Sequence, residues 1–133
     1  MSSETYDPAT APNPSKWSAL GEEERLQLVL RYHRRAGIAL PNEKLHAAIH
    51  VTIENQIVLG DELAVRRAVE RLMTEGLDRH EALHAVGLVL SEHLAGIARG
   101  GADTFPVQAY NAEVEQVTAE GWRRLWEGQD DPQ

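Results

Sequence analysis

The chain has 133 residues, 42% of them hydrophobic, and sets 13 basic against 21 acidic side chains for a net charge of −8. That length and apolar share suit one domain with its own core, and the acidic balance argues against a general nucleic-acid binder, which would show a basic face. Cysteine is absent, so any bound metal must be held by histidine nitrogen and carboxylate oxygen.

Residues 1–16 hold three of the six prolines and little apolar content, and read as an extended or disordered N-terminal arm. The opening MSSETYDPATAPNPSKW lacks the basic and apolar regions of a signal peptide. No apolar run approaches the roughly 18 residues of a membrane span. The expectation is a cytoplasmic protein with no membrane partner.

A single helical domain is expected over 17–127. Its first helix lies in LGEEERLQLVLRYHRRAG, with acidic residues at its start, arginines at its end and Gly37 after it. Leu26, Val29, Leu30 and His33 form one stripe. Pro41 stops continuation and Asn42 caps the second helix, EKLHAAIHVTIENQIVL, which ends at Gly60. Asp61 caps a third, ELAVRRAVERLMTE, which ends at Gly76. Asp78 caps a fourth, RHEALHAVGLVLSEHLAGIAR, which ends at Gly100 and Gly101. The segment TFPVQAYNAEVEQVTAEGWRRLWE reads as a fifth, capped by Asp103 or Thr104. Residues 128–133 form a polar tail. HVTI has strand-like residues, but no alternating stretch or hairpin turn supports a strand. The fold class is all-α, a four- to five-helix bundle with short loops.

Four of the six histidines form two pairs at i, i+4: His46 with His50, and His80 with His84. That spacing stacks two side chains on one helix face, so both can reach a single ion. Glu54 continues the first pair and lies within about 80° of it on a helical wheel. Leu45, Ile49, Ile53 and Ile57 form an apolar stripe beside it. The second pair lies beside Leu83, Val86, Leu90 and Leu94, and continues to Gly87 and Ser91, two small residues that leave room for a facing helix or a ligand. Glu92, about 80° from His84, is a further candidate ligand. Helices two and four can thus present four imidazoles to a transition metal, iron or zinc, as one or two ions. His33, at the end of an apolar stripe, and His93, off the His80 stripe, read as structural.

The second pair also sits in H-E-x-x-H, a zinc-peptidase signature followed by Gly87 at the usual spacing. Three observations weigh against that reading. Asp78 and Glu81 stand as N-cap and N3 of a capping box. Leu90 occupies the place of the third histidine. No strand is available to hold a peptide substrate. Glu81 is left as helix cap, second carboxylate near the metal, or proton carrier to a metal-bound water, and so as the one catalytic candidate.

Taken together, YHRRA, LPN, HAAIHVTIENQ, GDELAVRRAVERLM and EGLDRHEALHAVGLVLSEHL resemble a family of small bacterial proteins classed as a domain of unknown function. The likeness covers roughly residues 20–98. It implies that His46, His50, Gln56, His80, Glu81, His84 and Glu92 act as a set. At motif level the chain is also similar to hemerythrin, a di-iron four-helix bundle. His33, then His50 with Glu54, then His80 with His84 match its order, while Ala98 stands where its last aspartate ligand belongs.

The reading is a transition-metal protein with its site between the second and fourth helices. Redox or dioxygen chemistry, or hydrolysis on a small molecule, is the metalloenzyme form. A structural ion and a metal-free interaction module are the alternatives, the latter with Trp17, Trp122 and Trp126 at a docking surface. A homo-oligomer is compatible with either.

Overall fold

A computed structural model describes residues 5–37, 42–59, 64–100 and 105–130. Among them lie seven helices and no strand: α1 Pro14–Ala19, α2 Glu22–Arg35, α3 Glu43–Leu59, α4 Val65–Thr74, α5 Arg79–Ala98, α6 Val107–Gln116 and α7 Ala119–Asp130. Pro41, Gly60, Asp61, Gly101, Asp103, Thr104 and the Trp126 side chain lie outside the described residues. None of these helices is long and apolar enough to cross a membrane.

Several expected helix signals act where the sequence puts them, but α4 and α6 open at Ala64 and Pro106, without a side-chain cap, and not at the expected Asp61 and Asp103 or Thr104. Asn42 Oδ1 accepts the Leu45 amide at 3.1 Å and opens α3. Asp78 Oδ1 accepts the Glu81 amide at 2.8 Å and opens α5. Gly37 and Gly76 follow α2 and α4 at φ of 75° and 112°, a region glycine enters at little cost, and so stop those helices.

Two elements differ further from the sequence reading. The stretch read as an extended arm turns helical at Pro14. Asn13 Oδ1 accepts the Lys16 amide at 3.1 Å, and Pro14 takes the first helical position. The expected fifth helix is broken at Val117 and Thr118 into α6 and α7, because Thr118 Oγ1 accepts the Gly121 amide at 3.0 Å and starts a new helix. Side chains of α4 satisfy the backbone groups freed by the break. Arg71 donates to the carbonyls of Val117 at 2.6 Å and Glu115 at 3.2 Å, and Glu75 accepts the Ala119 amide at 2.9 Å.

Helices α3 and α5 form the central pair. α2 packs on α3; α4 and α6 pack on α5. One apolar core joins Ile53 of α3, Val65 and Leu72 of α4, Leu83, Val86 and Leu90 of α5, and Tyr110, Val114 and Trp122. A second joins Tyr6 and Trp17 to Leu28, Val29 and Leu30 of α2 and Ala47 and Val51 of α3. Each fully buried aliphatic side chain contributes on the order of 1.5–3 kcal/mol, so both cores hold α3 firmly. Of the expected stripes, Leu45 and Leu94 face outward. Glycine at 87 brings α5 close to α3: a Cβ built there would stand 2.9 Å from Ile49 Cγ2.

Candidate metal centre

Three helices deliver five histidines to one place: His33 from α2, His46 and His50 from α3, and His80 and His84 from α5. One ring nitrogen from each can be chosen so that all five lie within 4.8 Å of one another. Both i, i+4 pairs thus meet across the α3–α5 contact, each pair stacked on one face of its helix. The ring centroids of His80 and His84 are 4.4 Å apart, those of His46 and His84 4.8 Å, and those of His33 and His46 4.7 Å.

His33, read as structural from the sequence, is part of the group. It is buried, and its Nδ1 lies 2.9 Å from the Val29 carbonyl. A carbonyl only accepts, so Nδ1 carries the proton and Nε2 presents a bare lone pair. That Nε2 is buried and has no hydrogen-bond partner among the described residues, and the same holds for His80 Nε2. Buried polar atoms are rarely left without a partner, and here two lie in one cluster.

The other three rings make the same case. His84 Nε2 lies 3.1 Å from both His50 Nε2 and His46 Nε2. One ring nitrogen carries either one proton or one in-plane lone pair, so it cannot bond well to both neighbours. Nitrogens bound at about 2.1 Å to one ion stand about 3.0–3.4 Å apart across a right or tetrahedral angle. The observed separations fall in that range.

The cluster holds four of its rings, His46, His50, His80 and His84, toward the neutral form. Burial, reinforced by the neighbouring rings, lowers His46 to about 4 and His84 to about 3, and drives His50 far below its ordinary value. His80 is lowered by burial and by His33, against the opposing pull of Asp78 and Asp7. Neutral imidazole is the form that ligates metal.

The carboxylates singled out by the sequence stand elsewhere. Glu54 is fully buried but engaged: Arg79 donates to its two oxygens at 2.8 and 2.7 Å, and Tyr6 donates to Oε2 at 2.6 Å. Glu81 and Glu92 are exposed, and neither belongs to the five-residue group. Gln56, included above only through the resemblance, accepts the Tyr110 hydroxyl at 2.7 Å. Ser91 is half-buried, and His93 faces Glu113 at 3.1 Å, away from the cluster.

Sequence reasoning passed over Tyr6 and Arg79. The Tyr6 hydroxyl lies 3.1 Å from His50 Nδ1, and burial together with Glu54 raises its pKa well above the ordinary phenol value. Arg79 is buried beside Glu54 and also donates to the Pro8 carbonyl at 2.9 Å. A tyrosine in a proline-rich lead-in carries no spacing signal. Arg79 reads as an ordinary first residue of a helix.

Comparison of the chain with family models, with curated proteins and with solved structures finds no match.

Proposed function

We propose that this chain binds one transition-metal ion through His33, His46, His50, His80 and His84, and that the ion is iron in preference to zinc. The observation that carries the reading is the convergence of five ring nitrogens within 4.8 Å, with the Nε2 atoms of His33 and His80 buried and without hydrogen-bond partners among the described residues. An all-imidazole set suits iron, zinc, copper and nickel, whereas calcium and magnesium seek oxygen. Five donors exceed the four of a closed structural zinc site, which favours an ion of higher coordination number. The carboxylates that would bridge a second ion lie outside the donor group, which favours one ion over two. His46, His80 and His84 are only partly buried, so a small molecule such as water or dioxygen has an approach to the ion. That supports redox or dioxygen chemistry over peptide hydrolysis, for which Glu81 is too exposed to serve as a sheltered base.

The test is metal analysis of protein purified without a histidine tag and loaded anaerobically with Fe(II), in parallel with Mn, Ni, Cu and Zn. The expected result is about one iron per chain, lost in His33→Ala and His84→Ala while the helical circular-dichroism signal is kept. Loading below about 0.1 per chain with every ion refutes the metal reading. Tight, slowly exchanging zinc with no iron uptake would make the site structural.

A further inference from the structure

The hydroxyl of Tyr6 touches both His50 Nδ1, at 3.1 Å, and Glu54 Oε2, at 2.6 Å. It has one proton to give. If that proton went to His50, two lone-pair-bearing oxygens would face each other at 2.6 Å with nothing between them. The proton therefore lies toward Glu54, and His50 Nδ1 must donate to the phenol oxygen. A directed chain results, from the His50 ring through Tyr6 to Glu54, closed by the two Arg79 bonds at 2.8 and 2.7 Å. The consequence falls on the other ring nitrogen. With Nδ1 protonated, His50 Nε2 presents its lone pair to the cluster, 3.1 Å from His84 Nε2.

We propose that Tyr6 is a positioning residue for the metal centre: anchored by Glu54 and Arg79, it fixes the His50 tautomer and ring orientation so that Nε2 is offered to the ion. The proposal rests on the metal reading of the five histidines. Histidine ligands commonly give their second N–H to a carboxylate or carbonyl, and loss of that partner weakens metal binding. Here the partner is a phenol backed by a buried carboxylate, 44 residues away in sequence. The segment that carries it is pinned by a second bond, from Arg79 to the Pro8 carbonyl at 2.9 Å. His33 obtains the same tautomer from within its own helix, through Val29. The two most buried rings of the group, His33 and His50, are thus both set as Nε2 donors, by independent means.

The experiment has two readouts on the intact chain loaded with Zn(II), which is diamagnetic. Long-range proton–nitrogen NMR of the wild-type protein should show His50 protonated at Nδ1 and metal-shifted at Nε2. Chelator competition should show Zn(II) affinity reduced about 10–100-fold in Tyr6→Phe. It should change less than about threefold in Tyr32→Phe, although the Tyr32 ring packs 5.2 Å from His33 and 5.7 Å from His80. An unprotonated His50 Nδ1 in the loaded wild type overturns the proposal whether or not Tyr6→Phe folds. Equal affinity in a folded Tyr6→Phe overturns it as well, while leaving the metal site standing. Failure of the wild type itself to load Zn(II) or any other ion overturns the metal reading and this proposal with it.

Discussion

Acid should unfold the metal-free protein with a proton uptake that can be counted. A histidine in the unfolded chain titrates near its model value of 6.5, while His50 lies far below that in the fold and His84 lies at about 3. The folded pKa values are depressed, so below 6.5 the unfolded state binds more protons than the native one. The stabilisation from keeping these rings neutral is fully present above the unfolded value and is lost as pH falls through it. Between about pH 7.5 and about pH 5 each unfolded histidine gains about 2 kcal/mol of protonation free energy, and its folded counterpart gains almost none. His50 and His84 together remove about 4 kcal/mol over that interval. His46 and His80, nearer solvent, add a smaller, screened share. That is a large fraction of the roughly 5–15 kcal/mol that holds a domain folded. Urea titrations of chelator-treated protein across this range give the slope directly. We expect an uptake on unfolding of about two protons or more near pH 5. A flat profile, or an uptake below about one proton, would refute the claim that the fold holds these rings neutral.

Arg79→Met should destabilise by about 3–5 kcal/mol in urea unfolding, since it strands the buried Glu54 carboxylate. Pairing it with Glu54→Leu should recover most of that loss, and failure to recover would show that the ion pair is not the source. Gly87→Ala would gain about 1 kcal/mol if helix propensity alone decided. The 2.9 Å approach to Ile49 Cγ2 instead predicts a net loss of about 1 kcal/mol or more, relieved when Ile49→Ala is added, with thermal melting as the measurement. Glu81→Gln and Glu92→Gln should leave metal content unchanged by elemental analysis, because both side chains are exposed outside the donor group; a drop in either would redraw the site. Metal loading should slow proteolytic cleavage within residues 5–13, since Tyr6 contacts the His50 ring. Equal cleavage rates with and without metal would separate the arm from the site.

The fold class was legible because helix punctuation here is local. Asn42 and Asp78 cap as their side chains dictate, and Gly37 and Gly76 stop helices at positive φ. The α6–α7 break was also written locally, in Thr118, but the run of apolar and acidic residues around it masked a single cap. Four of the five clustered histidines were legible for the same reason, since i, i+4 spacing fixes neighbours within a helix. His33 belongs to a helix with no second histidine, so its place depends on how α2 packs against α3, which no spacing in α2 records. Glu54 was read as a ligand because it shares the His46–His50 face. Its actual partner, Arg79, sits on another helix 25 residues on. Register within a helix can be read from the chain; the meeting of faces from different helices depends on the cores that clamp them.

The division of labour between the histidines and Glu54 follows from the cost of burial. A neutral imidazole can be desolvated at modest cost and still offer a lone pair. A buried carboxylate needs a cation, and Glu54 has one in Arg79. With its charge matched in this way, Glu54 is left to orient a ring through Tyr6. The two cores that hold α2, α3 and α5 in place consist of apolar side chains and do not include the five histidines. Chains whose structural zinc is their core are unfolded without it. Here apolar packing clamps α2, α3 and α5 independently of any ion the rings hold. The same arrangement sets its own limit. Burial that keeps four of the rings neutral lowers stability wherever the unfolded chain can protonate them, so the gathering of the rings and the acid sensitivity have one cause.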